Sequence, residues 1–196
     1  MKFRAFISAD IEPSEALVEV LRELAASRAD LKIVKTDLMH ITLKFLGDTE
    51  ESLVDDVLAI MVNACAGIRP FKIRLKGMGA FPSMSNIRVV WVGIEDAGPL
   101  ATIAERLDSS AAKLGFPREK RGFVPHLTLA RTRTPRNITN VQETLKRNAA
   151  TDYGEYLIDR IMLKKSVLSP KGPTYSIVSL AMLSDSIESP RKDRTG

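Results

Sequence analysis

The chain has 196 residues, of which 44% are apolar and 27% are charged, so it can bury a core and is not disordered throughout. Its 29 lysines and arginines against 24 acidic residues leave a net charge of +5, which favours anionic partners without making a polycation. The single cysteine, Cys65, excludes an intramolecular disulfide and a thiolate zinc cluster. No apolar run approaches the roughly 18 residues of a membrane span, so we expect a cytoplasmic protein without membrane contact.

The first elements of the chain read as a strand, a helix and a second strand. Residues 2–9 alternate between the two faces of a half-buried strand. Apolar residues then recur at helical spacing over residues 14–28, which predicts a helix lying on a sheet. A further strand should follow this helix.

The hydrophobic period returns to two at His40, which predicts another strand. One face of this strand would carry His40, Thr42 and Lys44. Phe45 would lie on the opposite face, in the core rather than as a platform for a nucleobase. Gly47 would end the strand.

The segments after this strand read as a helix, a strand, a loop and a strand. Asp48 and Glu51 resemble a capping box at the start of the helix. Residues 71–76 alternate as a strand does, and residues 87–94 form a β-branched run typical of a buried strand. Residues 77–86 contain glycine, proline and serine and read as a surface loop.

The second half of the chain repeats the order of helix, histidine strand, helix, strand and strand. A helix between Pro99 and Gly115 is followed by a strand, a helix and two strands over 124–130, 139–149, 155–165 and 174–182. The repetition predicts an α+β fold of two similar lobes, each an antiparallel sheet with helices, related by pseudo-twofold symmetry around a central cleft. Residues 1–183 would form this single bilobal domain, and residues 184–196 a flexible tail.

The two histidines of the chain open the same pattern of His, any residue, Thr and Leu. On a strand, alternate residues share a face, so His40 lies beside Thr42 and His126 beside Thr128. Displacement at phosphorus needs one group to accept a proton from the entering oxygen and another to protonate the leaving oxygen, which two imidazoles can do near pH 7. The threonine hydroxyls could then bind the phosphate oxygens, and nearby cations such as Arg131, which follows the second motif, could absorb the charge that develops.

Two points stay open at the level of the motifs. Strict alternation places Arg131 on the opposite face from His126, so Arg131 reaches phosphate only if the strand ends or bulges near Ala130. The local sequences around the two histidines are nearly identical. Either histidine could therefore be the base.

These residues resemble the 2H phosphoesterases and, within them, the RNA 2',3'-cyclic phosphodiesterases, historically called 2'-5' RNA ligases. The similarity covers nearly the whole core and includes residues 4–7, 44–47, 81–82, 90–93 and 125–131. It implies a bilobal fold that opens a 2',3'-cyclic phosphate to a 2'-phosphomonoester without a metal or cofactor, with reversible 2'-5' joining as a side activity. By position, it implies His40 as proton donor and His126 as acceptor, with phosphate bound by Thr42, Thr128 and Arg131.

The resemblance also implies RNA, or an oligonucleotide with a 2',3'-cyclic phosphate end, as the partner. We expect a monomer, although the sequence leaves the oligomeric state open. Basic residues over 118–121 and 131–136 flank the second motif and could contact an RNA backbone. A non-catalytic module for RNA ends stays open as an alternative, as do 2'-5' ligation and hydrolysis of another cyclic phosphate, such as ADP-ribose cyclic phosphate.

Two other kinds of site find weak support in the sequence. A metal site is disfavoured because the two histidines have neither HExxH spacing nor a cysteine partner. Gly77, Met78 and Gly79 resemble the start of a dinucleotide fingerprint, but Pro82 takes the place of its third glycine.

Overall fold

The computed structural model describes residues 1–170 and 172–184. Within these residues the chain forms nine strands and four α-helices. In chain order they are β1 (Lys2–Asp10), α1 (Glu15–Ala26), β2 (Leu31–Ile33), β3 (His40–Glu50), α2 (Val54–Cys65), β4 (Phe71–Ser83), β5 (Asn86–Glu95), α3 (Gly98–Lys113), β6 (His126–Thr132), α4 (Ile138–Arg147), β7 (Asp152–Ile158), β8 (Arg160–Ser169) and β9 (Gly172–Met182).

The strands form two antiparallel sheets, which confirms the predicted α+β class. The first sheet has the order β3-β1-β8-β9 and the second the order β2-β6-β5-β4-β7. The two strands that begin with histidine, β3 and β6, belong to different sheets and contact each other. The twofold relation between the lobes and the single domain over 1–183 stay predictions.

The helices form because their apolar residues recur on one face, which packs on the sheets. Ser14 caps α1 by accepting a hydrogen bond from the backbone N–H of Leu17. The stripe predicted for this helix is buried, and it consists of Leu17, Val20, Leu21 and Leu24. Burial of each such side chain contributes about 1.5–3 kcal/mol of hydrophobic free energy, so this face holds α1 in place.

The strand β3 is longer than the sequence predicts. It continues past Gly47 to Glu50, and α2 begins only at Val54 after a short 3₁₀ turn. Asp48 therefore lies in the strand and forms no capping box with Glu51; that prediction is wrong. Gly47 adopts a positive φ of 73° beside a register shift between β3 and β1, so it serves a bulge and does not end the strand.

The predicted surface loop over 77–86 is also wrong, because β4 continues to Ser83 and pairs with β5 there. The glycine at position 79 is needed here for close packing and does not mark a loop. The ring of Trp91 on β5 lies against Gly79, where a Cβ atom would clash with it.

The segment predicted as one strand over 155–165 is divided at Asp159. β7 pairs with β4 in the second sheet, whereas β8 pairs with β1 in the first. The chain thus passes between sheets without a glycine or proline, which is why the pattern shows no break.

The C-terminal residues begin with an ordered contact. Ser184 accepts a backbone hydrogen bond from Gly67. The rest of the tail predicted over 184–196 lies outside the described residues. None of the helices described is long and apolar enough to cross a bilayer.

Candidate active site

The two imidazoles are held in the same way, each by a backbone carbonyl two residues earlier in the chain. His40 Nδ1 lies 2.7 Å from the carbonyl oxygen of Leu38, and His126 Nδ1 lies 2.8 Å from that of Val124. Because a carbonyl oxygen only accepts, Nδ1 must carry the hydrogen in both rings. Nε2 of each neutral imidazole is therefore the nitrogen available for proton transfer.

Aromatic side chains fix the plane of each imidazole. The His40 ring lies between Phe6, at 5.0 Å between centroids, and the edge-on ring of Tyr175, at 5.4 Å. The His126 ring meets Phe81 edge to face at 5.1 Å. Together with the Nδ1 hydrogen bonds, these contacts restrict both rotation and tilt of the rings.

A bulge in β6 decides where Arg131 points. The pairing with β5 shifts between Thr128 and Ala130, so Leu129 is the extra residue. Leu129 and Ala130 are both buried, whereas Arg131 is exposed. Arg131 could reach phosphate only if the strand ended or bulged near Ala130, and the structure has this bulge. It returns the side chain of Arg131 to the face of His126 and Thr128.

The same bulge occurs in β3, where alternation alone does not indicate it. The pairing with β1 shifts between Thr42 and Lys44, so Leu43 is the extra residue. Lys44 is consequently buried, and Phe45 is 52% exposed on the side of His40. The predicted faces of Lys44 and Phe45 are therefore wrong. A signal for this bulge is present in the sequence, because Phe45 and Arg131 follow their histidines at the same spacing. The bulge considered for Arg131 could therefore have been considered for Phe45 as well.

Buried Lys44 connects β3 to the segment that precedes His126. Its Nζ donates to Asp108 Oδ1 at 2.7 Å and to the Pro117 carbonyl at 2.6 Å. Arg118 donates from Nε to the other carboxylate oxygen of Asp108 at 2.6 Å. Arg118, one of the basic residues proposed to contact RNA, is therefore part of this internal network.

A cavity of about 580 Å³, here called the cleft, collects most of the predicted site residues. Its lining includes His40, Thr42, Thr128 and Arg131. His126 does not line the cleft itself but begins the same strand as Thr128 and Arg131, close enough to Arg131 for their charges to interact. The structure thus brings four of the five residues into one cavity and places the fifth beside it.

A family model described as the 2'-5' RNA ligase superfamily matches residues 9–166. The chain belongs to the 2'-5' RNA ligase superfamily. This membership confirms the resemblance drawn from the two histidine motifs.

Relatives of the superfamily match the chain over nearly its whole length. An RNA 2',3'-cyclic phosphodiesterase of Methanothermobacter thermautotrophicus is 33% identical over 178 residues, covering 90% of this chain and 96% of the relative. A protein of the same name from Aeropyrum pernix is 35% identical over 162 residues, covering 81% of this chain and 90% of that protein.

Solved structures show the same fold. The crystal structure of TT0787 of Thermus thermophilus is 31% identical and superposes with a TM-score of 0.77 over 92% of this chain and 97% of its own. Escherichia coli LigT, crystallised with 3'-AMP, superposes with a TM-score of 0.69 at 22% identity, covering 94% of this chain and 99% of that one.

Burial and neighbouring charges tune both histidines of this superfamily member. Desolvation by burial is the largest influence and lowers the pKa of each ring below its ordinary value of 6.5, against the raising effect of the backbone acceptors. The positive charge of Arg131 also lowers the pKa of both His40 and His126. His40 alone has an opposing pair nearby, in which Lys164 lowers its pKa and Asp10 raises it.

The groups in and beside the cleft supply proton transfer and anion binding. The described part of the chain contains no group of three or more His, Cys, Asp or Glu side chains placed to hold a metal ion. Two imidazoles, two hydroxyls and a guanidinium instead provide an acid, a base and several donors to phosphate oxygens.

Proposed function

We propose that this protein is an RNA 2',3'-cyclic phosphodiesterase, which hydrolyses a cyclic phosphate at an RNA end to a 2'-phosphomonoester without a metal or cofactor. The observation that carries the proposal is the matched placement of the two imidazoles. Each imidazole presents Nε2 from the first residue of its strand, and the two strands contact each other. The charge of Arg131 lowers the pKa of both rings. An acid and a base on opposite sides of one phosphate are what an in-line displacement needs.

In the reaction, His126 is the base and His40 is the acid, as the resemblance implies. His126 Nε2 accepts a proton from a water molecule whose oxygen forms a new bond to phosphorus. The bond from phosphorus to the 3' oxygen breaks on the opposite side, and His40 donates its Nε2 proton to that oxygen. The 2' phosphoester bond remains, and the two histidines return to their starting protonation states by exchange with solvent.

The donor role of His40 rests on the resemblance, because the neighbouring charges, taken together, lower the pKa of both rings. Asp10 is paired with His40 across β1 and β3, and its carboxylate favours the protonated imidazole. Lys164, which donates a hydrogen bond to the same carboxylate, lowers the pKa of His40 more than Asp10 raises it, and Arg131 lowers it further. Arg131 alone acts as a charge on His126, which favours the neutral form that a base requires.

The remaining cleft residues serve the phosphate and the nucleoside. Thr42 and Thr128 donate hydroxyl hydrogen bonds to non-bridging oxygens, and Arg131 offers a forked pair of N–H donors as charge develops there. Phe45 exposes its ring on the same side of β3, where it can stack on a base. The substrate is thereby held by its phosphate between β3 and β6 and by its base on β3.

The experiment that tests the proposal is product analysis on an RNA oligonucleotide with a 2',3'-cyclic phosphate end, with and without EDTA. We expect a 2'-phosphate product and no effect of EDTA. A 3'-phosphate product would reverse the leaving group, and an activity lost in EDTA and restored by a divalent ion would contradict the two-histidine mechanism. Binding without turnover would favour the non-catalytic module.

A second strand with a free 5'-hydroxyl extends this experiment to 2'-5' joining. In that reaction the 5'-hydroxyl takes the place of water and the histidine roles are unchanged. A joined product in excess of the hydrolysed one would favour ligation as the main activity. The expectations of a monomeric, cytoplasmic protein stay predictions of this proposal.

A further inference from the structure

One wall of the cleft carries more positive charge than the reacting phosphate needs. β2 and the residues after it lie beside β6 at the edge of the second sheet, where Lys32 is paired across the strands with Arg131. Lys32 and Lys35 line the same cleft as His40. With Arg4, Arg131 and Arg133, the described lining contains five cationic side chains and no carboxylate.

These cationic side chains form no close ion pairs with carboxylates among the described residues. Elsewhere on the surface, Lys72, Arg74 and Lys76 all form ion pairs across strands. Among the described residues, no carboxylate lies within 4 Å of Arg4, Lys32, Lys35 or Arg131, and the ion pair of Arg133 with Asp30 is as long as 4.0 Å. Unpaired like charges repel one another, and an anionic ligand relieves that repulsion.

The number of charges indicates a ligand with several phosphates. In the mechanism above, a cyclic phosphate is a monoanion, and Arg131 with the two threonine hydroxyls already serves it. Arg4, Lys32, Lys35 and Arg133 are in excess of this requirement. Because a 2',3'-cyclic phosphate lies at the 3' end of a strand, every other phosphate of that strand lies on its 5' side.

The rest of the lining fits a single strand. Sites for single-stranded nucleic acid combine a cationic groove with aromatic rings on which bases stack. Phe45 and Tyr175 lie in the same cleft as the two lysines, and Leu31, Ile33 and Val34 add apolar surface beside them. The cleft thus offers cations for phosphates on the side of β2 and β6, and aromatic rings for bases on the side of β3 and β9.

We propose that Lys32 and Lys35 form an upstream phosphate subsite, which binds phosphodiesters on the 5' side of the terminal nucleotide. This inference rests on the proposed function and specifies its substrate: a strand of several nucleotides, in preference to a mononucleotide cyclic phosphate. Lys32 and Lys35 are substrate-binding residues at this subsite and take no part in proton transfer.

The test compares two substrates in wild-type protein and in the Lys32→Gln/Lys35→Gln double variant. The substrates are adenosine 2',3'-cyclic phosphate and a triadenylate with the same cyclic end. We expect the double variant to lose about 10-fold in kcat/KM on the trinucleotide, mainly through KM, and to stay within about twofold of wild type on the mononucleotide. The slope of log kcat/KM against log salt should become shallower by roughly 0.7 for each phosphate contact removed.

A charge-matched control is Lys113→Gln/Lys146→Gln, which removes two exposed lysines at the ends of α3 and α4, away from the cleft. We expect it to behave like wild type on both substrates. Equal losses in both double variants would overturn the subsite in favour of a general field effect, and equal losses on both substrates would place the lysines at the reacting phosphate. No loss on either substrate would also overturn it.

Two further measurements separate this inference from the proposed function. Fluorescence anisotropy with a triadenylate ending in a 2'-phosphate measures binding without turnover. Weaker binding in the lysine variant supports the subsite even if wild-type protein turns over no cyclic phosphate, whereas unchanged binding overturns it even if turnover is normal. A preference for ADP-ribose cyclic phosphate over the trinucleotide, lost in the lysine variant, would assign these residues to a diphosphate instead.

Discussion

The strands β3 and β6 are built alike and differ in what they present. Each begins with a histidine whose Nδ1 is bound by the carbonyl two residues earlier, and each has a bulge at the leucine after its threonine. The bulge turns the sixth residue of each strand back to the histidine face. That residue is Phe45 in β3 and Arg131 in β6.

The comparison separates the parts of the site that supply chemistry from those that orient the substrate. The shared residues provide an acid, a base and two hydroxyl donors. The sixth residue distinguishes the strands, since an aromatic ring suits a base and a guanidinium suits a phosphate. The same bulge in both strands thus gives the cleft two chemically different sides.

The largest expected effect comes from the residues that the strands share. His40→Ala and His126→Ala should each lose about 10² to 10⁴ in kcat, the usual contribution of a positioned acid or base. The double variant should be little worse than the poorer single variant, because the two groups act in one step. Steady-state kinetics on a cyclic-ended oligonucleotide measure this, and wild-type turnover in either single variant would contradict the mechanism.

The second prediction concerns the fifth residue of each strand, where β3 has buried Lys44 and β6 has Ala130. Asp108→Ala should lower the free energy of unfolding by about 3–5 kcal/mol, because it leaves the Lys44 charge buried without its closest carboxylate. Glu119→Gln is the control, since this half-exposed carboxylate lies 3.8 Å from Lys44 and should contribute less than about 1 kcal/mol. Equal urea unfolding curves for the two variants would show that the network is not needed for stability.

The third prediction concerns Arg131, the sixth residue of β6, and tests whether its guanidinium binds phosphate through a forked pair of N–H donors. Arg131→Ala should lose about 10² to 10³ in kcat/KM, and Arg131→Lys should recover only part of this loss because an ammonium cannot donate as a planar fork. Arg136→Lys, outside the cleft lining, should match wild type. Full activity in Arg131→Lys would reduce the role of this residue to its charge.

The smallest of these effects is expected at the sixth residue of β3. Phe45→Ala should raise KM about 10-fold with little change in kcat, because base stacking contributes about 1–3 kcal/mol. Phe45→Tyr keeps the ring and should stay near wild type. A loss in kcat equal to that of Arg131→Ala would remove the distinction between the two sides of the cleft.

Much of the fold follows from periodicity in the sequence. Helix α1 and its buried stripe are predictable because four apolar side chains recur at helical spacing. The glycines of β4 are misleading, since Gly79 marks the approach of the Trp91 ring although glycine in such a segment is typical of a loop. The crossing at Asp159 has no local signal, because it depends on which strands β7 and β8 find as partners.

The site is predictable where its residues obey strict alternation. His40 and Thr42 share a face, as do His126 and Thr128, and the sequence shows this directly. A bulge adds one residue to a strand and reverses every side chain after it, and it depends on pairing with a neighbouring strand. The exposed ring of Phe45 is therefore missed by sequence reasoning, and Arg131 can be assigned only on the condition of a bulge.

The pH dependence of kcat/KM, measured with chemistry rate-limiting, tests the two-histidine account most directly. The base must be neutral, so activity rises as pH passes its pKa, and the acid must be protonated, so activity falls above its pKa. Because burial lowers the pKa of both His40 and His126 below 6.5, we expect a bell-shaped profile with its maximum below that pH. His126→Ala should remove the acidic limb and His40→Ala the alkaline limb. A wild-type profile that is flat from roughly pH 5 to 9, or limbs that survive both substitutions, would contradict the account.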